Sequence, residues 1–217
     1  MSDLLPEDDI AADPELALAP ASPVRKRPKP GERREQILQT LAAMLEQPGS
    51  DRITTAALAA RLGVSEAALY RHFISKAQMF EGLIEFIETS VFTLINQVVE
   101  REGTQPAQAA RVVALLLQFA EKNPGMTRVM AGDALVFEHE RLQVRMNQFF
   151  DRVEAQLRQC LRGVQDEQDS VPPPVGVSAR ASMMVGFAMG RLQRFSRSGF
   201  KRSPTEHLDL VLSWMVL

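Results

Sequence analysis

Residues 54–76 read TTAALAARLGVSEAALYRHFISK, and this stretch restricts the fold more than any other. Leu58 and Leu62 recur at helical spacing before Gly63, as do Leu69 and Phe73 after it. A glycine between two such short runs supplies a left-handed backbone turn without a Cβ penalty. Thr54 or Thr55 can cap the first run and Ser65 the second, since a hydroxyl accepts from backbone N–H groups left unsatisfied at a helix start. Val64 can plug the angle between the two helices, while Ala59, Ala67 and Ala68 are small enough for close packing. These features predict a helix-turn-helix near residues 54–73, its second helix running from Ser65 to about His72 and free to enter a DNA major groove. An ordinary helical hairpin uses the same residue types, and the pattern alone leaves the two readings close to even.

The remainder is also helical in pattern. Ile37, Leu38, Leu41, Met44 and Leu45 form an apolar stripe from Arg33 onward, ended by Pro48-Gly49. Ser75 and Gln78 have capping-box spacing. They open a long helix with Phe80, Leu83, Ile84, Ile87, Val91, Leu94, Ile95 and Val98 on one face. Further helices are predicted over about 106–122, 125–137, 139–163, 177–198 and 205–217, with a loop at 164–175 ending in three prolines. No segment alternates with period two for long enough to make a strand. The fold class is therefore all-α. A tail at 1–30 precedes a three-helix DNA-binding domain at 31–76 and a helical regulatory and dimerisation domain at 77–217.

Charge is segregated along the chain. The net charge is −2, which taken alone argues against a polyanionic partner. Residues 1–24 carry Asp3, Glu7, Asp8, Asp9, Asp13 and Glu15 with no Lys or Arg, and the composition of residues 1–30 as a whole predicts disorder. Arg25, Lys26, Arg27, Lys29, Arg33 and Arg34 follow directly, opposed only by Glu32. This basic cluster reads as a flexible arm for a neighbouring groove or phosphate backbone, or as a solubilising tail. One cysteine, Cys160, allows no intrachain disulfide, and it reads as a half-buried or surface residue rather than a nucleophile. No apolar run approaches the roughly 18–20 residues that span a bilayer, and the acidic amino terminus lacks signal-peptide order. The expected setting is cytoplasmic, without a membrane partner.

Catalytic chemistry is not expected. His72 lies inside the helix-turn-helix, and His139 and His207 lack metal-ligand spacing with Cys, Asp or Glu. No glycine-rich phosphate loop follows a strand. No cofactor or metal is anticipated.

The full string Gly-Val-Ser-x-x-x-Leu-Tyr-x-His-Phe-x-x-Lys, residues 63–76, strongly resembles the signature of the TetR family of DNA-binding regulators. That resemblance extends to the preceding helix at 33–45 and to Arg52-Ile53-Thr54-Thr55. It implies that Thr54, Thr55, Tyr70, His72 and Lys76 contact phosphates, and that Ser65, Glu66, Ala67 and Arg71 lie nearest to base edges. Arg71 is the leading candidate for guanine, because its planar fork pairs two acceptors; a phosphate contact is the alternative.

The regulatory half, above all EKNPGMTRVMAGDALVFEHERLQVRMNQFFDRVEAQLRQ and RFSRSGFKRSPT, is similar to the nucleoid-occlusion branch of that family. The similarity implies a homodimer on palindromic chromosomal sites in the nucleoid that antagonises the tubulin-like division protein FtsZ. The implied contact is the FtsZ C-terminal tail in a groove near Phe86, Leu115, Gln118, Lys122 and Asn123. The bland alternative makes Phe86 and Leu115 core and Lys122 a solvated helix end. Ser182, Gly186 and Gly190, at four-residue spacing, independently favour close approach of a second helix from a partner or from the chain itself. A two-fold dimer would set its recognition helices about 34 Å apart. A ligand-responsive repressor is the competing function, and an enzyme on this scaffold a distant third.

Overall fold

The structure, a computed structural model, describes residues 31–47, 52–101, 105–162 and 176–216. Among them every regular element is helical: α1 (Glu32–Leu45), α2 (Thr55–Leu62), α3 (Glu66–Tyr70), α4 (Lys76–Arg101), α5 (Gln105–Lys122), α6 (Pro124–Met130), α7 (Glu140–Leu161), α8 (Val177–Arg197) and α9 (Leu208–Val216). A single 3₁₀ turn, Asp133–Leu135, joins α6 to α7. The tail at 1–30, the Pro48-Gly49 stop and the loop at 164–175 lie outside the described residues.

One apolar core runs through the molecule from Ile37 on α1 to Leu212 on α9. The α4 stripe is buried as its spacing predicts, except Leu94, which is half-buried, and Met79 joins it. Each fully buried Leu, Ile, Phe or Met contributes about 1.5–3 kcal/mol of transfer free energy, so this continuous interior dominates the stabilisation. On α7, Leu142, Met146, Phe149, Phe150, Val153 and Leu157 face inward, with Phe149 packed edge-on against Phe92 and Phe150.

Helix α4 is also long and apolar enough to cross a bilayer, contrary to the reading of the sequence. Its apolar side instead forms part of the core, and its outer carboxylates pair with α7. Arg145 forks onto Glu88 at 2.7 and 3.3 Å, and Arg141 reaches Glu81 at 2.7 Å. The hydrogen bonding of Arg145 to the Glu88 carboxylate raises the Arg145 pKa and outweighs the opposing effect of burial.

Beyond the helix-turn-helix, two helix boundaries differ from the pattern. The expected helix over 125–137 breaks after Met130 because Gly132 turns left-handed, with φ 83°. Asp133, just beyond the break, accepts a 2.7 Å hydrogen bond from the Ser196 hydroxyl and ties the turn to α8. The last helix starts at Leu208 rather than 205, since His207 itself has φ 54°. Upstream, the Glu121 carboxylate accepts from both the Ser203 and Thr205 hydroxyls and holds that segment against the end of α5.

Among the described glycines, the tightest approach lies between α1 and α6. A Cβ added at Gly125 would sit 2.2 Å from the Ala42 carbonyl oxygen, so no other residue fits there without displacing backbone. Gly82 of α4 similarly sits under the Leu38 side chain. The first helix is thus bedded on α4 and α6, and the helix-turn-helix head shares the core of the body.

Candidate nucleic-acid interface and an exposed helical groove

The helix-turn-helix is built by caps within a few residues of one another. Thr54 is the N-cap of α2, its hydroxyl accepting from the Ala57 N–H at 3.1 Å. Gly63 ends α2 in the left-handed region at φ 65°, ψ 38°. The Val64 N–H returns to the Ala59 carbonyl and the Gly63 N–H to Ala60, which is the paired closure of a Schellman turn. Ser65 then caps α3 by accepting from Ala68 at 3.3 Å. Leu58, Ala59, Leu69 and Phe73 are buried and fix the angle, while Val64 is half-buried against the core.

This arrangement leaves Thr54, Ser65, Glu66, Ala67, Tyr70, Arg71 and His72 exposed, with Thr55 half-buried beside them. The recognition helix is shorter than expected: α3 ends at Tyr70, Arg71 is its C-cap and His72 lies in the turn that follows. Not every side chain there is uncommitted. Thr55 donates to the Glu66 carboxylate at 2.6 Å, which links the starts of α2 and α3.

Arg33 and Arg34 belong to the first turns of α1 and not to a flexible arm. Arg33 bonds Gln36 on its own helix at 2.8 Å. Arg34 bonds the His72 carbonyl at 3.0 Å and stacks 4.2 Å over the Phe73 ring, so it clasps the end of the recognition segment. The other basic residues of the cluster lie outside the described residues. Lys76 is part-buried and forms an ion pair with Glu138, beside the Phe80 ring. Glu138 lies 62 positions away, and nothing local in the sequence could have signalled it. The capping box before α4 also shifts: Ser75 accepts from Gln78, but the Gln78 side chain accepts from the Ile74 N–H rather than from that of Ser75.

The second set of expected residues gathers along α4 and α5. Phe86 is 48% exposed, its ring 6.3 Å from that of Phe119, which is buried below. Leu115 and Gln118 are half-buried, Lys122 is exposed, and together with Phe86 they border the seam between the two helices. Phe86 is therefore not core. Asn123 departs from this set, because its amide donates to the Phe119 carbonyl at 2.7 Å and closes its own helix end.

On α8, the stripe of Ser182, Gly186 and Gly190 faces outward, and among the described residues nothing comes within 4 Å of a Cβ added at either glycine. No described segment of the chain packs on the stripe. Met183 and Met189 beside it are exposed, as are Leu210 and Trp214 on α9, Trp214 at 78%. Cys160 is buried rather than half-exposed, and burial pushes its thiol pKa up, away from nucleophilic character. Three clefts of about 760, 320 and 230 Å³ all open to solvent on helix surfaces.

Comparison with known proteins agrees with this architecture. Residues 37–83 match the family described as bacterial regulatory proteins, tetR family, and residues 106–217 match the tetracyclin repressor-like C-terminal domain. Nucleoid occlusion factor SlmA of Photobacterium profundum is 55% identical over 178 residues, which is 82% of this chain and 90% of that protein. Its namesake in Idiomarina loihiensis is 50% identical over 187 residues, 85% of this chain and 93% of that one. Among solved structures, the transcriptional regulator FadR of Bacillus subtilis, determined with stearoyl-CoA, aligns with TM-score 0.64 at 17% identity, covering 84% of this chain and 97% of that one. A Rhodococcus transcriptional regulator aligns with TM-score 0.67 at 20% identity over 84% and 93% of the two chains. These two share the fold. With half of its residues identical to the SlmA proteins over more than four-fifths of its length, the chain belongs to the SlmA family of TetR-type regulators.

Proposed function

We propose that this protein is a nucleoid occlusion factor: bound as a two-fold dimer to chromosomal palindromes, it antagonises FtsZ assembly and withholds septation over the nucleoid. The observation that carries the reading is the pairing of two uncovered faces on one rigid core. One is the polar face of α3; the other is the seam of α4 and α5, where Phe86 stands out of an otherwise closed interior. The names of its half-identical relatives support the same reading.

In this reading Arg71 reads base edges, with Ser65, Glu66 and Ala67 beside it. Thr54, Thr55, Tyr70 and His72 meet phosphates, helped by Arg33 and by Lys76 once it leaves Glu138. The outward stripe on α8 takes a second copy, which sets the two recognition helices about one turn of DNA apart. The α4–α5 seam takes the FtsZ C-terminal tail against Phe86, Leu115, Gln118 and Lys122, with Asn123 shaping the end of the groove. Such a protein works in the cytoplasm on the nucleoid.

Sedimentation of FtsZ polymers in the presence of this protein, with and without a short palindromic duplex that it binds, tests the proposal. Loss of pelleted polymer that deepens with the duplex is the expected result. Intact polymers despite tight DNA binding would point to a ligand-responsive repressor.

A further inference from the structure

The α4–α5 seam continues past Leu115. There Leu94, Gln97 and Val98 of α4 face Leu115 of α5 across a cleft of about 230 Å³, and its rim carries Arg101 from α4 and Arg111 from α5. Leu94, Val98 and Leu115 give it an apolar floor, while both arginines are exposed. Their situation differs from that of Arg141, Arg145 and Arg158, each of which has its own carboxylate. No described residue forms an ion pair with Arg101 or Arg111. Asp209 of α9 lies in the neighbouring cleft on the other side of Arg111 without closing a bridge to it.

A guanidinium presents five donors in a planar fork that matches a carboxylate with two parallel bonds. Two such forks, one from each helix and flanking an apolar floor, are complementary to an aliphatic side chain bracketed by acidic ones. We propose that Arg101 and Arg111 form a carboxylate-reading subsite that extends the Phe86 groove and takes the acidic side chains of an extended peptide. The inference rests on the reading of the groove given above and adds what that end selects. Phe86 and Arg101 are 15 positions apart on one helix, or about 22 Å at 1.5 Å per residue. An extended segment of about seven residues covers that span, its apolar end at Phe86 and its acidic end at the arginines.

The test measures fluorescence anisotropy of a labelled FtsZ C-terminal tail peptide, and of the same peptide with every Asp and Glu replaced by Asn and Gln. Both are titrated with the full chain on a palindromic duplex. The wild-type protein is expected to bind the acidic peptide at least tenfold more tightly than the neutral one, with the gap closing in high salt. Arg101→Glu with Arg111→Glu should erase that gap and leave the neutral peptide unaffected, whereas Phe86→Ala should weaken both. Unchanged duplex binding and melting temperature would show that the double variant is folded, and Arg101→Lys with Arg111→Lys should retain part of the preference. A double variant that keeps the preference, or loses both peptides equally, overturns the subsite. If the wild type binds both peptides equally and Phe86→Ala abolishes both, the subsite falls and the groove stands; binding of neither peptide removes the groove as well.

Discussion

On the recognition face, the exposed side chains are polar or small apart from the Tyr70 ring, and each bend that presents them is closed by a partner a few residues away: Thr54 on Ala57, Val64 on Ala59, Ser65 on Ala68. On the α4–α5 face the exposed group is aromatic, and its surroundings come from another helix about thirty positions along the chain, as Phe86 on Phe119 shows. The turns of the first surface are set within a short stretch of chain, which the core and Arg34 hold in place. The second exists only when two long helices have docked. Local changes should therefore injure the head alone, changes in helix packing should injure both, and single exposed side chains should separate the two activities.

The largest expected effect is at the joint between them. Gly125→Ala places a methyl group against the α1 backbone and should cost about 3 kcal/mol, near the upper end for overpacking. A thermal melt should drop by several degrees, and DNA and FtsZ-tail binding should decline in parallel. An unchanged melt would mean that α1 and α6 are less closely seated than described. Next come the separating substitutions. Arg71→Ala should lose about 1–3 kcal/mol of discrimination at one base pair and leave tail binding intact. Phe86→Ala should do the reverse, as anisotropy against operator variants and against the tail peptide would reveal. Loss of both activities from either change would erase the distinction between the two faces.

Smaller effects sharpen the account of the head. Thr54→Ala and Ser65→Ala each remove one cap and should destabilise the protein by about 1 kcal/mol in urea unfolding. Least of all, Glu138→Gln should release Lys76 and slightly tighten DNA of any sequence while steepening its salt dependence. Lys76→Ala should flatten that dependence. If Glu138→Gln leaves the salt slope unaltered, Lys76 serves the α4–α7 junction only.

The same contrast explains what was legible in the sequence. The turn at Gly63 was readable because glycine, the following Val64 and the capping Ser65 are consecutive, and a helix-turn-helix needs no distant residue to define it. The clasp of Arg34 on His72 and the pairing of Lys76 with Glu138 join residues 38 and 62 positions apart, and periodicity carries no trace of either. The break at Gly132 was hidden because apolar residues continue at helical spacing on both sides of it. Phe86 and Leu94 have the same apolar character as the buried residues of α4. Only the docking of α5 decides that Phe86 stands out and that Leu94 floors a cleft.

Gly125 beneath Ala42 has a further consequence for how such regulators can be recombined. A head whose first helix rests backbone-to-backbone on the body is not a detachable cassette. Any chimera that brings in a foreign DNA-binding segment must bring a matching floor with it, so α6 at 124–130 travels with the head, α1 to α3. A graft cut at the start of α4 would join two halves whose surfaces were never shaped to meet.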